Sequence, residues 1–373
     1  MSKAKLPEGW EEAPLESVAE VHDKHRVPLS SMQRSKIKGP YPYCGANGII
    51  DHINKYIFDG EFILIAEDGG DFNKYSDSAY LMDGKFWVNN HAHILKAIEG
   101  KSTNKYLLYF LNYSDLNRYI VGSTRRKLNQ DKLRSISVVL PPLPEQKAIA
   151  SVLSTIDQDL EKVNAAIEKT IRTNKGLMQK LLSSKNGDMT TLADKKFFEL
   201  IMGQSPPSFS YNGSNKGVPF LQGNAEFGHL YPKPVKRTTQ PTKMAQKGDI
   251  LISVRAPVGE LNICDQDLCM GRGLGAIRVL KGSNLFYISY LKHIRKIIQN
   301  SSQGSTFKAI TRSEINRIEV PLLPPEEQER IAKILFSVDE RYILLKKKKS
   351  KLERIKKGVM DDLLTGKKRL KVE

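Results

Sequence analysis

The chain has 373 residues, 40% of them hydrophobic, enough for two ordinary domains of roughly 100–200 residues with cores of their own. Lysine and arginine number 59 against 41 acidic residues, a formal charge of +18 that points to a polyanionic partner, nucleic acid or an anionic membrane surface. No run reaches the ~18 apolar residues of a membrane span, and Met1–Trp10, with Pro7 and Glu8, lacks a signal-peptide core, so spanning and secretion are disfavoured and a cytoplasmic location is expected.

In chain order, residues 1–144 read as a first mixed domain, with strand-like runs at Phe62–Ile65 and Ser135–Leu140 and a helix-like patch at Asn104–Leu116. The proline-rich segment Leu140–Glu145 then opens a long helix, because proline tolerates the first helical turn and glutamate there faces the positive end of the helix dipole. Its apolar residues are Ile149, Val152, Ile156, Leu160, Val163, Ile167, Ile171, Met178 and Leu181. Their steps lie closer to an 11-residue than to a 7-residue repeat and predict a nearly straight pairing. Asn186-Gly187 closes this central helical segment, residues 145–187.

A second mixed domain, residues 188–325, has strand-like runs at Ile250–Val254 and Ala276–Leu280 and a helix-like patch at Leu285–Gln299. Val320–Glu327 repeats the proline punctuation and opens a second helix. Its stripe is Ile331, Leu335, Val338, Tyr342, Leu345, Leu352, Ile355, Val359 and Leu363, and a basic tail follows within the segment 326–373. The expected class is α+β: two similar mixed domains separated by two long helices that bury their stripes against each other as an antiparallel coiled coil.

Sliding the sequence on itself by 182 positions shows why the two halves read alike. Gly122-Ser123-Thr124 falls on Gly304-Ser305-Thr306, and the match runs without a gap to Leu181-Leu182 on Leu363-Leu364. Gly176 and Met178 fall on Gly358 and Met360. Each glycine costs about 1 kcal/mol of helix stability relative to alanine, so the four residues are expected to pack closely against another helix, either the other long helix or a partner subunit. Upstream the halves diverge, with only fragments shared, such as Asn47 with Asn224. The order is variable, constant, variable, constant, an internal pseudo-twofold repeat.

Several possible sites dissolve on inspection. Gly100-Lys101-Ser102-Thr103 resembles the end of a phosphate loop, but Leu95 stands where that loop needs its first glycine. Gly271-Arg272-Gly273-Leu274-Gly275 has the wrong spacing for a dinucleotide fingerprint and reads as a tight turn. The three cysteines, Cys44, Cys264 and Cys269, are too few for a disulfide framework. Cys264 with Cys269, or His91 with His93, could ligate zinc, but neither pair has a second pair beside it, and buried thiols are the simpler reading. Lys346–Lys349 reads as a solvated helix face, the alternative being a contact to a nucleic-acid backbone. No Asp/Asn-Pro-Pro-Tyr/Phe signature of amino-methyltransferases occurs.

The segment Pro141–Ala150, its copy Pro324–Ala332, and the helix endings Lys175–Leu182 and Lys357–Gly366 together resemble the specificity subunits of type I restriction–modification systems, over essentially the whole chain. The resemblance implies a non-catalytic chain whose two target-recognition domains each read one half of a split site in double-stranded DNA. It also implies two methylation subunits, restriction subunits reached through them, and S-adenosylmethionine, ATP and magnesium bound by those partners, with no cofactor or metal here. The rival readings are an interaction protein using the helix pair as a spacer between protein-binding domains, and a fragment of a fused restriction–methylation enzyme, against which the missing methylase signature argues.

Base contacts come mostly from arginine or lysine to guanine and from asparagine or glutamine to adenine. Loop residues of those types are Asn47, Asn73, Lys74, Asn89, Asn90, His91, Arg125 and Arg126 in the first domain, and Gln222, Asn224, Arg255, Arg272, Gln303 and Lys308 in the second. His91 is expected near the place of Arg272, and Arg126 at that of Lys308. Ser123, Thr124, Ser305 and Thr306 are expected to hold phosphate rather than to read sequence. The charge is lopsided: 19 basic against 17 acidic residues over 1–144, but 18 against 10 over 188–325. The first domain should therefore rely on local clusters such as Arg125-Arg126-Lys127.

Overall fold

The computed structural model describes residues 6–123, 126–182, 188–301 and 309–371. Two compact units emerge, one made of residues 1–163 and 349–373, the other of 164–348.

In the first unit a four-stranded antiparallel sheet has the order Ala19–Val21, Ala92–Ala97, Phe62–Ala66, Ala79–Met82. Phe62–Ala66 is buried at every position, as an apolar strand covered on both faces must be. A second sheet runs Gly48–Ile53, Lys38–Gly45, Lys85–Val88, Phe58–Asp59, with its central pair parallel. The second unit repeats the plan. Its first sheet is Phe198–Met202, Leu274–Val279, Ile250–Ser253, Leu261–Ile263, and its second again contains one parallel pair, Val218–Leu221 with Leu268–Met270. The helices Asn104–Tyr113 and Asn284–His293 are alike in length, and each begins at a hydroxyl cap, Thr103 accepting from Tyr106 N and Ser283 from Phe286 N.

The two long helices are Leu143–Leu182 and Pro325–Leu364, each 40 residues. Both place a buried glutamine in the first turn: Gln146 Nε2 donates to Pro141 O at 3.0 Å, and Gln328 Nε2 to Leu323 O at 2.9 Å. Their buried seam corrects the sequence reading. In the first helix the buried and half-buried positions 149, 153, 156, 160, 163, 167, 170, 174, 177 and 181 form an unbroken heptad series. In the second, 331, 335, 338, 342, 345, 349, 352, 356, 359 and 363 do the same, each 182 further on. Val152 and Ile171 are exposed, as is Ile355. Polar side chains, Thr170 and Asn174 in one helix and Lys349 and Lys356 in the other, occupy seam positions instead, which is why counting apolar residues alone lengthens the apparent period. A seven-residue repeat is the pattern of a left-handed supercoil rather than a straight pairing.

The compact units do not follow the four segments expected from the sequence; they cut each long helix near its middle. The core of the first unit joins the sheet residues Ile63, Ile65 and Leu95 to Ile149, Ala150 and Leu153 at the start of the first helix and to Met360, Leu363 and Leu364 at the end of the second. The core of the second unit joins Ile250, Ile252 and Ile277 to Ile331, Ala332 and Leu335 and to Leu182, with Leu177, Met178 and Leu181 packed beside them. Within each unit the helix segments run antiparallel and are tied at equivalent positions. Lys356 Nζ lies 2.6 Å from Asp157 Oδ1 in the first unit, and Asn174 Nδ2 donates to Asp339 Oδ1 at 2.8 Å in the second.

Met178 and Met360 thus pack into domain cores. Gly176 and Gly358 do not pack against the other long helix: both are exposed, and a methyl group added at either would meet nothing within 4 Å. Lys346–Lys348 are exposed, whereas Lys349 is half-buried in the seam.

Candidate nucleic-acid interface

The loops that leave the ends of the first sheet in each unit are held by the same backbone bonds, and these fix which residues correspond. Leu128 N donates to Glu67 O at 2.8 Å, and Ile310 N to Val254 O at 3.0 Å. Glu67 N donates to His91 O, and Val254 N to Gly273 O, both at 2.9 Å. Asn89 N donates to Cys44 O at 3.0 Å, and Gly271 N to Leu221 O at 2.7 Å. The bridges Asp68–Lys127 and Arg255–Ala309 agree with this register. It pairs Asn47 with Asn224, Asp68 with Arg255, and Asn90 with Arg272. The counterpart of Arg272 is therefore Asn90, and His91 stands one residue on, at the place of Gly273.

In the first unit this edge is a network of both charges. Asn47, exposed in the turn after Gly45, donates from Nδ2 to Gly69 O at 3.1 Å. His91 Nδ1 lies 2.8 Å from Asp68 Oδ1, and Asn90 is exposed beside it. Below, Glu67 binds Lys127 at 2.6 Å and also Arg26, whose Nη1 donates to Ala92 O at 3.0 Å. Burial pushes the Glu67 carboxyl up, but Lys127, Arg26 and His93 outweigh it and hold the group below its ordinary value. Deeper still, buried Asp23 faces His93 Nδ1 at 2.6 Å and accepts from Ile94 N and Gln130 Nε2. Burial raises that carboxyl too, and His93, Arg26 and the Ile94 amide lower it by more.

Other expected residues of this unit have internal partners. Asn89 is buried, and its Oδ1 accepts from His91 N at 2.8 Å, shaping the turn rather than reaching outward. Lys74 Nζ lies 2.8 Å from Asp361 of the second long helix and over the rings of Tyr75 and Tyr113. Exposed Asn73 bonds to Asp71 and accepts from Asn117 Nδ2, whose own oxygen is held by Arg126. Ser123 is exposed. Thr124 and Arg125 lie outside the described residues, as do Gln303, Ser305, Thr306 and Lys308.

The second unit presents a different chemistry on the same frame. Arg255 and Arg272 are both exposed, as is Gln222, and Asn224 is half-buried. Arg272 N donates to Ser205 Oγ at 3.2 Å, and Gln204 N to Met270 O at 2.9 Å, so the loop 204–210 is fastened to the arginine turn. That turn needs its glycines: a Cβ on Gly271 would come within 2.8 Å of Gln222 Cα, and one on Gly273 within 2.6 Å of Gln222 O. Sequence reasoning missed Arg26, Glu67, Asp68, Gln204 and Ser205, while Lys127 belonged to the expected basic cluster. The similar runs Gly60-Glu61-Phe62-Ile63-Leu64 and Gly248-Asp249-Ile250-Leu251-Ile252 lie just upstream and were the available signal, but counted along them Arg255 falls on Glu67, one residue short of Asp68.

The other motifs have structural explanations. Gly100–Thr103 leads into a helix, with Lys101 Nζ donating to Ser17 O and Ser102 Oγ to Val18 O. Cys44, Cys264 and Cys269 are buried thiols, and burial pushes Cys44 up to about 12. Among the described residues no three histidine, cysteine or acidic side chains are grouped to hold a metal ion, and no helix is long and apolar enough to cross a membrane.

The family model for the type I restriction modification DNA specificity domain matches twice, over residues 7–171 and 187–354. The putative type I restriction enzyme MjaX specificity subunit of Methanocaldococcus jannaschii is 40% identical over 302 residues, covering 74% of this chain and 71% of that protein. A putative type I restriction enzyme specificity subunit of Haemophilus influenzae, S.HindORF215P, is 28% identical and covers 89% of this chain and 88% of its own length. Among solved structures, the type I restriction–modification system S subunit from M. genitalium superposes with a TM-score of 0.72 at 19% identity, covering 96% of this chain and 98% of that one.

Proposed function

The chain belongs to the type I restriction–modification DNA specificity family, and from that premise we propose how it reads DNA. Each unit offers one edge to one half of a bipartite site in double-stranded DNA. The carrying observation is that equivalent backbone frames, which share Asn47 and Asn224, otherwise hold unlike side chains: Asp68 and Asn90 in one unit, Arg255 and Arg272 in the other. Identical frames with different hydrogen-bonding groups are what two half-sites of different sequence require. Arginine suits guanine, asparagine suits adenine, and an acidic acceptor suits the amino group of cytosine.

In this reading the long helices set the gap between the half-sites, and their repeated faces, including exposed Gly176 and Gly358, receive two methylation subunits. Catalysis, S-adenosylmethionine, ATP and magnesium belong to those subunits and to the restriction subunits they bring, in the cytoplasm. The family membership supports this over a protein-binding spacer. The test is selection of random duplexes by this chain assembled with its methylation subunits. Two fixed half-sites separated by unselected base pairs are expected, and recovery of no common sequence overturns the proposal.

A further inference from the structure

Among the described residues, the two most exposed large apolar side chains are Phe209, at 80%, and Met32, at 69%. They lie in corresponding loops of the repeat, twelve residues before corresponding strand residues, although, counted forward from the paired strands at Ala19 and Phe198, Met32 stands two residues further on than Phe209. Cys44 and Leu221 correspond through their bonds to Asn89 and Gly271, and Met32 lies twelve residues before the one, Phe209 twelve before the other. Each is the second residue of a short helix, Ser31–Ser35 and Ser208–Ser210.

Both loops are stiff. Ser30 caps the first helix with a reciprocal bond to Gln33. Leu29 N donates to Tyr43 Oη at 2.8 Å, and Trp87 Nε1 donates to Val27 O at 2.6 Å. In the second unit Tyr211 Oη donates to Pro206 O at 2.9 Å and Ser210 Oγ to Pro207 O at 2.7 Å. Each loop is also tied to the proposed reading edge of its own unit, through Arg26 to Ala92 in one and through Ser205 to Arg272 in the other. Holding a bare phenylalanine or methionine in water on a rigid support gains nothing for the fold.

We propose that Met32 and Phe209 are wedges, one per unit, which press between stacked base pairs of the half-site and open the step beside the bases being read. The inference rests on the DNA-reading function above and adds residues that carry no hydrogen-bonding chemistry. Apolar side chains on a basic surface that unstack a base step and bend the duplex are an established solution to DNA recognition. Met32 is followed by exposed Lys36 and by Arg34 and Lys38, which share the carboxylate of Asp51, and the domain holding Phe209 carries the larger basic excess. A surface for the methylation subunits is a poorer fit. Two copies of one partner would meet like residues, as the repeated, exposed Gly176 and Gly358 offer, whereas methionine in one unit and phenylalanine in the other suits two different stretches of DNA.

The experiment uses the chain assembled with its methylation subunits and its selected duplex, with 2-aminopurine, whose fluorescence rises on unstacking, placed at successive positions of each half-site. The wild-type complex should raise the signal at one step in each half. Phe209→Ser should abolish the rise in one half only and weaken binding about tenfold to a hundredfold, as loss of a base–aromatic contact does, and Met32→Ser should abolish it in the other half with a smaller loss of affinity. The sequence read should be unchanged. Because both side chains are exposed, unchanged melting confirms that the variants fold. Variants with wild-type affinity and fluorescence overturn the wedge, as does a variant that binds DNA normally but no longer recruits methylation subunits. A wild-type complex with no sequence preference defeats the reading function itself, and the wedge with it.

Discussion

The second long helix ends inside the core of a unit whose sheets lie more than 200 residues earlier in the chain, so ending the chain at Gly358 should unfold the first unit and spare the second. The deletion removes Met360, Leu363 and Leu364, exposed by 3%, 6% and 1%. Burying side chains of this size is worth about 1.5–3 kcal/mol each, roughly 5–9 kcal/mol for three, an upper bound because the unfolded chain already hides part of its surface. Whole-domain stabilities are about 5–15 kcal/mol, so the loss is comparable to the total. Lys74 and Tyr113 also lose the carboxylate of Asp361, and Glu145, buried at 1% exposure, loses Arg369 at 2.8 Å. Hydrogen exchange read by mass spectrometry should show Phe62–Ala66 and Ala92–Ala97 exchanging freely while Ile250–Ser253 stays protected. Met360→Ala is the graded version, costing roughly 2–5 kcal/mol in the same unit, and half-buried Met178→Ala should cost less, in the other. Undiminished protection of Phe62–Ala66 in the shortened chain would refute the shared core.

Other expectations follow from the seam and from the reading edges. Inserting seven residues in each long helix at equivalent positions keeps the heptad and lengthens the pair by about 10.5 Å, so the unread spacer should grow by about three base pairs at ~3.4 Å each with both half-sites intact; an altered half-site in the methylation pattern would defeat the spacing role. Arg272→Ala should relax one position of one half-site at a cost of about 1–3 kcal/mol, and equal weakening on unrelated DNA would make it a phosphate contact. Because Asp23 is held below its ordinary value of 3.8, its stabilising contribution is present above that pH and is lost as pH falls through the depressed value. Asp23→Asn should therefore weaken the first unit near neutral pH and flatten its acid unfolding limb, leaving the second unit unchanged; an acid profile identical to wild type would contradict the buried network.

The repeat, the two helices and the mixed domains were legible because they are written in local patterns: a fixed offset of 182, proline–glutamate helix starts, and apolar strands bounded by turn residues. The seam period was not, because Thr170, Asn174, Lys349 and Lys356 stand at positions that an apolar count skips, while Val152, Ile171 and Ile355 invite being counted. The composition of the units was not either, since only packing brings residues 360–364 to residues 62–66 and 149–153. At the reading edges the types of residue were foreseeable, but register was not. The offset of 182 carries Asn90 onto Arg272, but pairing Asp68 with Arg255 at 187 needs the backbone bonds of Glu67 and Val254, and the burial of Asn89 and the engagement of Lys74 with Asp361 are invisible to loop composition. Met32 and Phe209 carry no sequence signal at all; only their exposure in corresponding loops beside the reading edges sets them apart.

The most direct measurement is the methylome of the source strain with and without this gene. Loss of a single bipartite motif, two short half-sites separated by a fixed number of unmethylated, unread base pairs, is the expected result and would identify both half-sites and the gap at once. An unchanged set of methylated motifs in a strain that expresses the chain and its methylation subunits would contradict sequence recognition by this protein.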